Sequence, residues 1–64
     1  MKVILIKENK EKDIDFKGSI EDLLKSLGIS ENTVLLIKNG ELVNSHEIVD
    51  SNDIVKIMPV ISGG

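Results

Sequence analysis

The sequence predicts an α+β domain: a mixed sheet of five strands with one helix packed on one face, in the order strand, strand, helix, strand, strand, strand. Three observations predict it. Only one stretch, residues 20–27, repeats apolar residues at helical spacing. The pair Asn39-Gly40, the strongest two-residue hairpin signal, joins two apolar runs. The first and last runs, "KVILIK" and "DIVKIM", are short and rich in β-branched residues, as central strands are. A single helix covers one face of one sheet, and 64 residues make one domain.

The first strand is expected over Lys2 to Lys7, apolar on both alternating faces. After the polar "ENKEK", the segment "DIDFK" alternates, Ile14 and Phe16 against Asp13, Asp15 and Lys17. It predicts a half-exposed edge strand in a hairpin with the first. The helix follows. Ser19 is placed to cap its start, with Asp22 at the capping-box position. Ile20, Leu23, Leu24 and Leu27 share a face, and Glu21 and Asp22 complement the helix dipole. Gly28 is suited to the left-handed residue that ends it, with Ile29 folding back on Leu24. A helix this short cannot stand alone and must lie on the sheet.

Thr33 to Lys38 and Glu41 to Asn44 form the second hairpin. "SHEIVDSND" is a polar connector anchored by Ile48 and Val49. The last strand points Val55 and Ile57 one way and Ile54, Lys56 and Met58 the other, and Pro59, which lacks an N–H, suits its end. Apolar first and last strands both gain from central positions. Side by side they give two hairpins flanking a parallel central pair, the β-grasp arrangement. The expected organisation is a β-grasp domain over residues 1–58 and a flexible tail over 59–64.

Composition narrows the function. Eight lysines stand against eleven carboxylates, arginine is absent and Phe16 is the only aromatic. Nucleic-acid binding draws on a basic stripe and stacking aromatics, so no nucleic-acid partner is expected. Four consecutive apolar residues near the start are too few for a signal peptide or membrane span, and no membrane partner is expected. There is no cysteine, hence no disulfide, thiolate metal site or thiol nucleophile. The expectation is a cytoplasmic protein, monomeric when free. His46 has no neighbours at metal-ligand spacing, and Asp50, Asn52 and Asp53 lack the glycine and distal glutamate of a calcium loop and suit turn capping instead. No phosphate-binding loop or Ser/His/Asp set is present, so neither a catalytic site nor a bound metal or cofactor is expected.

The strand order, the "KNGELV" hairpin, the "DSNDIVKIMPV" approach and the terminal "ISGG" resemble the ubiquitin-like sulfur carriers over the whole chain. The likeness is closest to the ThiS type, with the small subunit of molybdopterin synthase, the MoaD type, as near relative. "NGELV" and the short length are similar to ThiS, and "PV" before the tail is similar to MoaD. Arginine contacts the family makes with its activating enzyme are missing here.

The resemblance implies that the Gly64 carboxylate is adenylated, at the expense of ATP, by a partner related to ubiquitin-activating enzymes. A sulfur donor such as a cysteine desulfurase then yields a thiocarboxylate, and thiazole synthase, or the large subunit of molybdopterin synthase, takes the sulfur. It further implies thiamin thiazole synthesis as the pathway, with molybdopterin synthesis or tRNA thiolation as alternatives. Conjugation to lysines as a protein modifier and a plain interaction module are the alternatives from other classes. The physical chemistry fits. A carboxylate reacts at carbon only once its oxygen is made a leaving group. Residues 59–64 extended reach at most about 20 Å. Gly63 and Gly64, without Cβ, let backbone pass a narrow channel, with Ser62 and Ile61 in the partner's channel behind them. Pro59 and Val60 stiffen the base and are expected to contribute to partner docking. If Val3 and Leu5 face the helix, Ile4 and Ile6 face outward beside Ile54 and Met58, an apolar patch for docking the partner.

Overall fold

A computed structural model describes residues 1–60. Its main sheet has the order β2-β1-β7-β4-β5, from β1 (Lys2–Leu5), β2 (Lys10–Asp13), β4 (Val34–Lys38), β5 (Glu41–Val43) and β7 (Ile54–Pro59). The central β1–β7 pair is parallel, Val3 opposite Val55 and Leu5 opposite Ile57; the other pairs are antiparallel. One helix, α1 (Ile20–Leu27), covers one face. This is the mixed five-strand β-grasp sheet that the sequence predicts. Beside it lies a two-stranded ladder, β3 (Gly18–Ser19) with β6 (Ile48–Val49).

The core follows from the pleat. Val3, Leu5, Val55, Ile57 and Leu36 point inward and meet Ile20, Leu23 and Leu24 from the helix, with Met1 and Val49 closing the ends. Each such buried aliphatic side chain stabilises the fold by about 1.5–3 kcal/mol. The Ser19 Oγ accepts the Asp22 N–H at 3.2 Å. The N–H groups of Ile20 and Glu21 donate to the carbonyls of Glu47 and Ser45, so the connector satisfies the helix's orphan donors. Gly28 is left-handed (φ 71°), and the Ile29 N–H returns to the Leu24 carbonyl at 2.9 Å, as the sequence predicts.

The expected second strand is misplaced. The strand is Lys10–Asp13, not Asp13 to Lys17, and the first strand stops at Leu5, with Ile6 to Asn9 forming the turn. Asn9 takes the left-handed conformation this turn requires (φ 52°). The register puts Asp13 opposite Lys2, and Met1 and Ile14 exchange the last two hydrogen bonds, at 2.9 and 2.8 Å. Ile14 and Phe16 do both pack on the core. Their alternation marks an irregular crossing from the sheet edge to the helix rather than a ladder. β2 has four charged, exposed side chains and carries no periodic signal at all.

The second hairpin turns at Asn39 (φ 50°) and Gly40 (φ 87°), as a type I′ turn requires. Its entering strand begins at Val34, because residues 31–33 form a 3₁₀ turn. Asn39 also clamps the start of β7. Its backbone N–H donates to Ile54 O at 2.8 Å, its Oδ1 accepts the Ile54 N–H and its Nδ2 donates to Asp53 Oδ1, both at 2.9 Å. The Asn39 amide, and then the Asp50 N–H on the other oxygen, hold the Asp53 carboxyl below the ordinary aspartate value. A depressed carboxyl adds stability above its unfolded value, and that stability is lost as pH falls through the folded value. Asn39→Gly keeps the turn and removes the amide. In an NMR titration, the Asp53 carboxyl of this variant is expected to titrate at higher pH than in the parent, and the acid-side loss of stability to move with it.

Candidate functional site

The site is built around the far end of β7. Odd-numbered residues of β7 turn their backbone groups toward β1: the Lys2 N–H meets Asp53 O and the Ile6 N–H meets Ile57 O. Pro59 falls on that side, where β1 has already ended, so its missing N–H costs no ladder bond. The Val60 N–H then donates to Thr33 O at 2.9 Å. The chain is therefore held by the sheet through residue 60, with the Pro59 and Val60 side chains exposed. Ile61, Ser62, Gly63 and Gly64, the residues expected to enter a partner and carry the chemistry, lie outside the described residues.

A groove of about 430 Å³ runs beneath this exit, floored by Leu5, Ile29, Val34 and Ile57 and bordered by Lys7 and Glu8. It sits where the β1–β2 turn, the end of α1 and the end of β7 converge.

The second part of the site is the outer sheet face. Because Val3, Leu5, Val55 and Ile57 are buried, their neighbours point away from the helix. Ile4 lies opposite Lys56, Ile54 opposite Lys2, and Met58 opposite Leu35. Three of the six expected docking residues, Ile4, Ile54 and Met58, thus share this face, while Pro59 and Val60 lie exposed at and just past the end of β7. Ile6 is exposed but sits in the turn past β1. Leu35, Ile37 and Leu42 belong to the same face through the registers Ile37↔Lys56 and Ile37↔Leu42, and sequence reasoning missed them. The signal was present in the two-residue turn, which fixes the register of β5 on β4. Within this apolar field, Lys2 is neutralised by Glu11 at 2.9 Å, which raises its pKa; Lys56, flanked by Ile4 and Ile37, is exposed.

The remaining polar residues hold turns. Asp50 Oδ1 accepts the Asn52 N–H at 2.9 Å and Asp53 Oδ2 accepts the Asp50 N–H at 2.8 Å. His46 is 83 % exposed, with Nδ1 4.0 Å from Glu21 Oε2. Among the described residues no three His, Asp or Glu side chains gather as a metal site. The described residues leave an apolar sheet face open beside the point where β7 ends.

The model of the ThiS family matches residues 3–64. The sulfur carrier protein TtuB of Thermus thermophilus is 29% identical over 65 residues, covering all of both chains. The crystal structure of the thiamine biosynthesis protein ThiS from Geobacter metallireducens superposes with a TM-score of 0.68 at 21% identity, all of each chain being covered. The solution structure of a thiamine biosynthesis protein from the same organism gives 0.59 at 20% identity, covering all of this chain and 88% of that one. At such identities these two structures bear on the fold.

The assignment of faces has a direct check. Met58→Glu is expected to change the unfolding free energy by no more than about 1 kcal/mol, as for other substitutions at a half-open surface. Val55→Glu, which buries an unpaired carboxylate among Val3, Leu23 and Leu24, is expected to abolish cooperative unfolding. Urea titration followed by circular dichroism reads both. The opposite pattern, with Met58→Glu abolishing cooperative unfolding and Val55→Glu tolerated, would mean the faces are reversed.

Proposed function

This chain belongs to the ThiS family, and from that premise we propose that it is a sulfur carrier whose Gly64 carboxylate is the cargo-bearing group. The family match running through residue 64 is the observation that carries the proposal. The sheet supports it mechanically. Among the described residues the last bond is at Val60, and four further residues, fully extended, would span at most about 14 Å, enough to place a terminal carbon inside a partner while the domain stays outside.

A carboxylate oxygen of Gly64 attacks the α-phosphate of ATP on an adenylating partner, and pyrophosphate leaves. The acyl carbon of the resulting adenylate is now electrophilic, because AMP is a good leaving group. The terminal sulfur of a donor persulfide, such as that of a cysteine desulfurase, attacks this carbon and expels AMP. A thiol then reduces the acyl disulfide, which leaves a disulfide on the donor cysteine and a product with sulfur in place of one carboxylate oxygen. No side chain of this chain need act in either step: the partner supplies the nucleotide site, and this chain supplies the reacting carbon and its approach. Gly63 and Gly64 allow that approach, since a Cβ at either would crowd the nucleotide. Ile61 and Ser62 line up behind them in the partner's channel.

The outer face, with Ile4, Ile54 and Met58 joined by Leu35 and Ile37, is the surface on which the adenylating enzyme docks. The acceptor is thiazole synthase, as the ThiS family name supports.

Intact mass before and after alkylation reads the cargo. With ATP, the adenylating enzyme of the same genome and a sulfur donor, the protein is expected to gain the mass of sulfur replacing oxygen, and to react with the alkylator although it has no cysteine. Deleting Gly64 is expected to abolish the change with the fold intact. Met58→Glu is expected to slow it about tenfold, the loss of one well-packed docking contact. An unchanged mass with all components present defeats the proposal, and higher-mass adducts to other proteins would assign conjugation instead. A loss of the gene that leaves growth without thiamin unaffected would redirect the sulfur to another acceptor.

A further inference from the structure

The two edges of the main sheet are unlike. β2 is protected as edge strands commonly are, by Lys10, Glu11, Lys12 and Asp13, all exposed. β5 carries Leu42, 69 % exposed and the most open of the large apolar side chains described. The register tells which backbone groups that edge offers. On β4, the Asn39 N–H and the Thr33 carbonyl, flanking the strand, both bond toward β7. Backbone direction alternates along a strand, so Val34, Leu36 and Lys38 face β5. Leu36↔Val43 and Lys38↔Glu41 are therefore the hydrogen-bonded pairs, and Ile37↔Leu42 is the non-bonded pair between them. It follows that the N–H and C=O of Leu42 point away from the sheet, with the exposed Leu42 side chain beside them.

Next to this edge, β5 ends at Val43 while β4 continues back to Val34. The gap is a notch of about 280 Å³ lined by Val34, Leu36, Leu42 and Val43, with Glu31 at its mouth. Glu31 and Glu41 are exposed, and neither is in an ion pair among the described residues. An apolar edge with an outward donor and acceptor, a notch for a side chain and a carboxylate near each end fits one kind of ligand.

We propose that β5 accepts an extended segment of a partner protein as a sixth strand, apolar in its middle and carrying basic residues at its ends, through backbone pairing at Leu42. Charge selects this occupant over a second copy of the chain. A second copy would bring another Glu31, another Glu41 and another net charge of −3 to the same edge. The site is independent of Gly64 and of the sulfur chemistry.

A peptide of alternating threonine and valine flanked by lysines is the probe, titrated to millimolar concentration into the ¹⁵N-labelled full chain. Amide shifts are expected to centre on Leu42 and Val43, and the same peptide flanked by glutamates is expected to bind about tenfold more weakly, the worth of the two end charges. Leu42→Pro removes the outward N–H and trims the exposed side chain, and it costs no bond to β4, because Leu42 gives none. It is expected to keep the thermal midpoint and to weaken the lysine peptide about tenfold, one lost backbone hydrogen bond. Should that variant misfold, the double reversal Glu31→Lys with Glu41→Lys provides the second reading, and it is expected to invert the preference between the two peptides. Absence of shifts at Leu42, shifts gathered on Ile4 and Met58, an unaltered preference in the double reversal, or dimerisation through Leu42 without peptide would each overturn the proposal.

Discussion

β1 and β7 lie parallel in the middle of the sheet, Val3 opposite Val55 and Leu5 opposite Ile57, all four side chains buried under α1. A parallel pair cannot be closed by a tight turn. Residues 6–53 together form the crossover, and they must supply both flanking hairpin arms and the helix that covers the inner face. The position of every other feature descends from this pairing. It sets β2 and β5 at the two edges, directs Ile4, Ile54 and Met58 outward, and brings the chain out at Val60 beside the 3₁₀ turn. Val60 and the outer face are thus fixed relative to each other.

Much of this was legible because several local signals agree. The Ser19 cap, the Gly28 stop and the Ile20, Leu23, Leu24 stripe each specify the same helix. Asn39-Gly40 specifies a turn whose left-handed backbone leaves little alternative. The alternation of Val55 and Ile57 with Lys56 gives the faces of the central strand. What was not legible has equally physical causes. β2 is polar on both faces because an edge strand beyond the reach of the helix has nothing to bury, and a sequence without contrast has no period to find. Ile14 and Phe16 show contrast without a ladder. β3 and β6, at two residues each, are shorter than any pattern; only the burial of Val49 and the helix donors satisfied by Ser45 and Glu47 explain why the connector lies where it does.

The candidate site divides in the same way. The glycines at 63 and 64 and the apolar residues at 4, 54 and 58 could be named from the sequence, since the first is a matter of residue type and the second of strand parity. Leu35, Ile37 and Leu42 depend on how β5 and β7 register against β4, a property of pairs of strands rather than of either one. The polar residues that looked most like chemistry, Asp50, Asp53 and His46, are spent on turns or exposed at the surface.

The strand at the centre of the sheet also leaves the ribosome after every other described strand. Until Ile54–Pro59 emerges, β1 and β4 have no shared neighbour and the two halves of the sheet cannot join. Such distant pairing is slow to form compared with local contacts, and folding must wait for synthesis to pass residue 59. A nascent chain that has not yet released β7 therefore exposes Val3, Leu5 and Leu36 to chaperones and proteases. Folding thus reports on synthesis: a molecule that has hidden its core is one whose synthesis has passed β7.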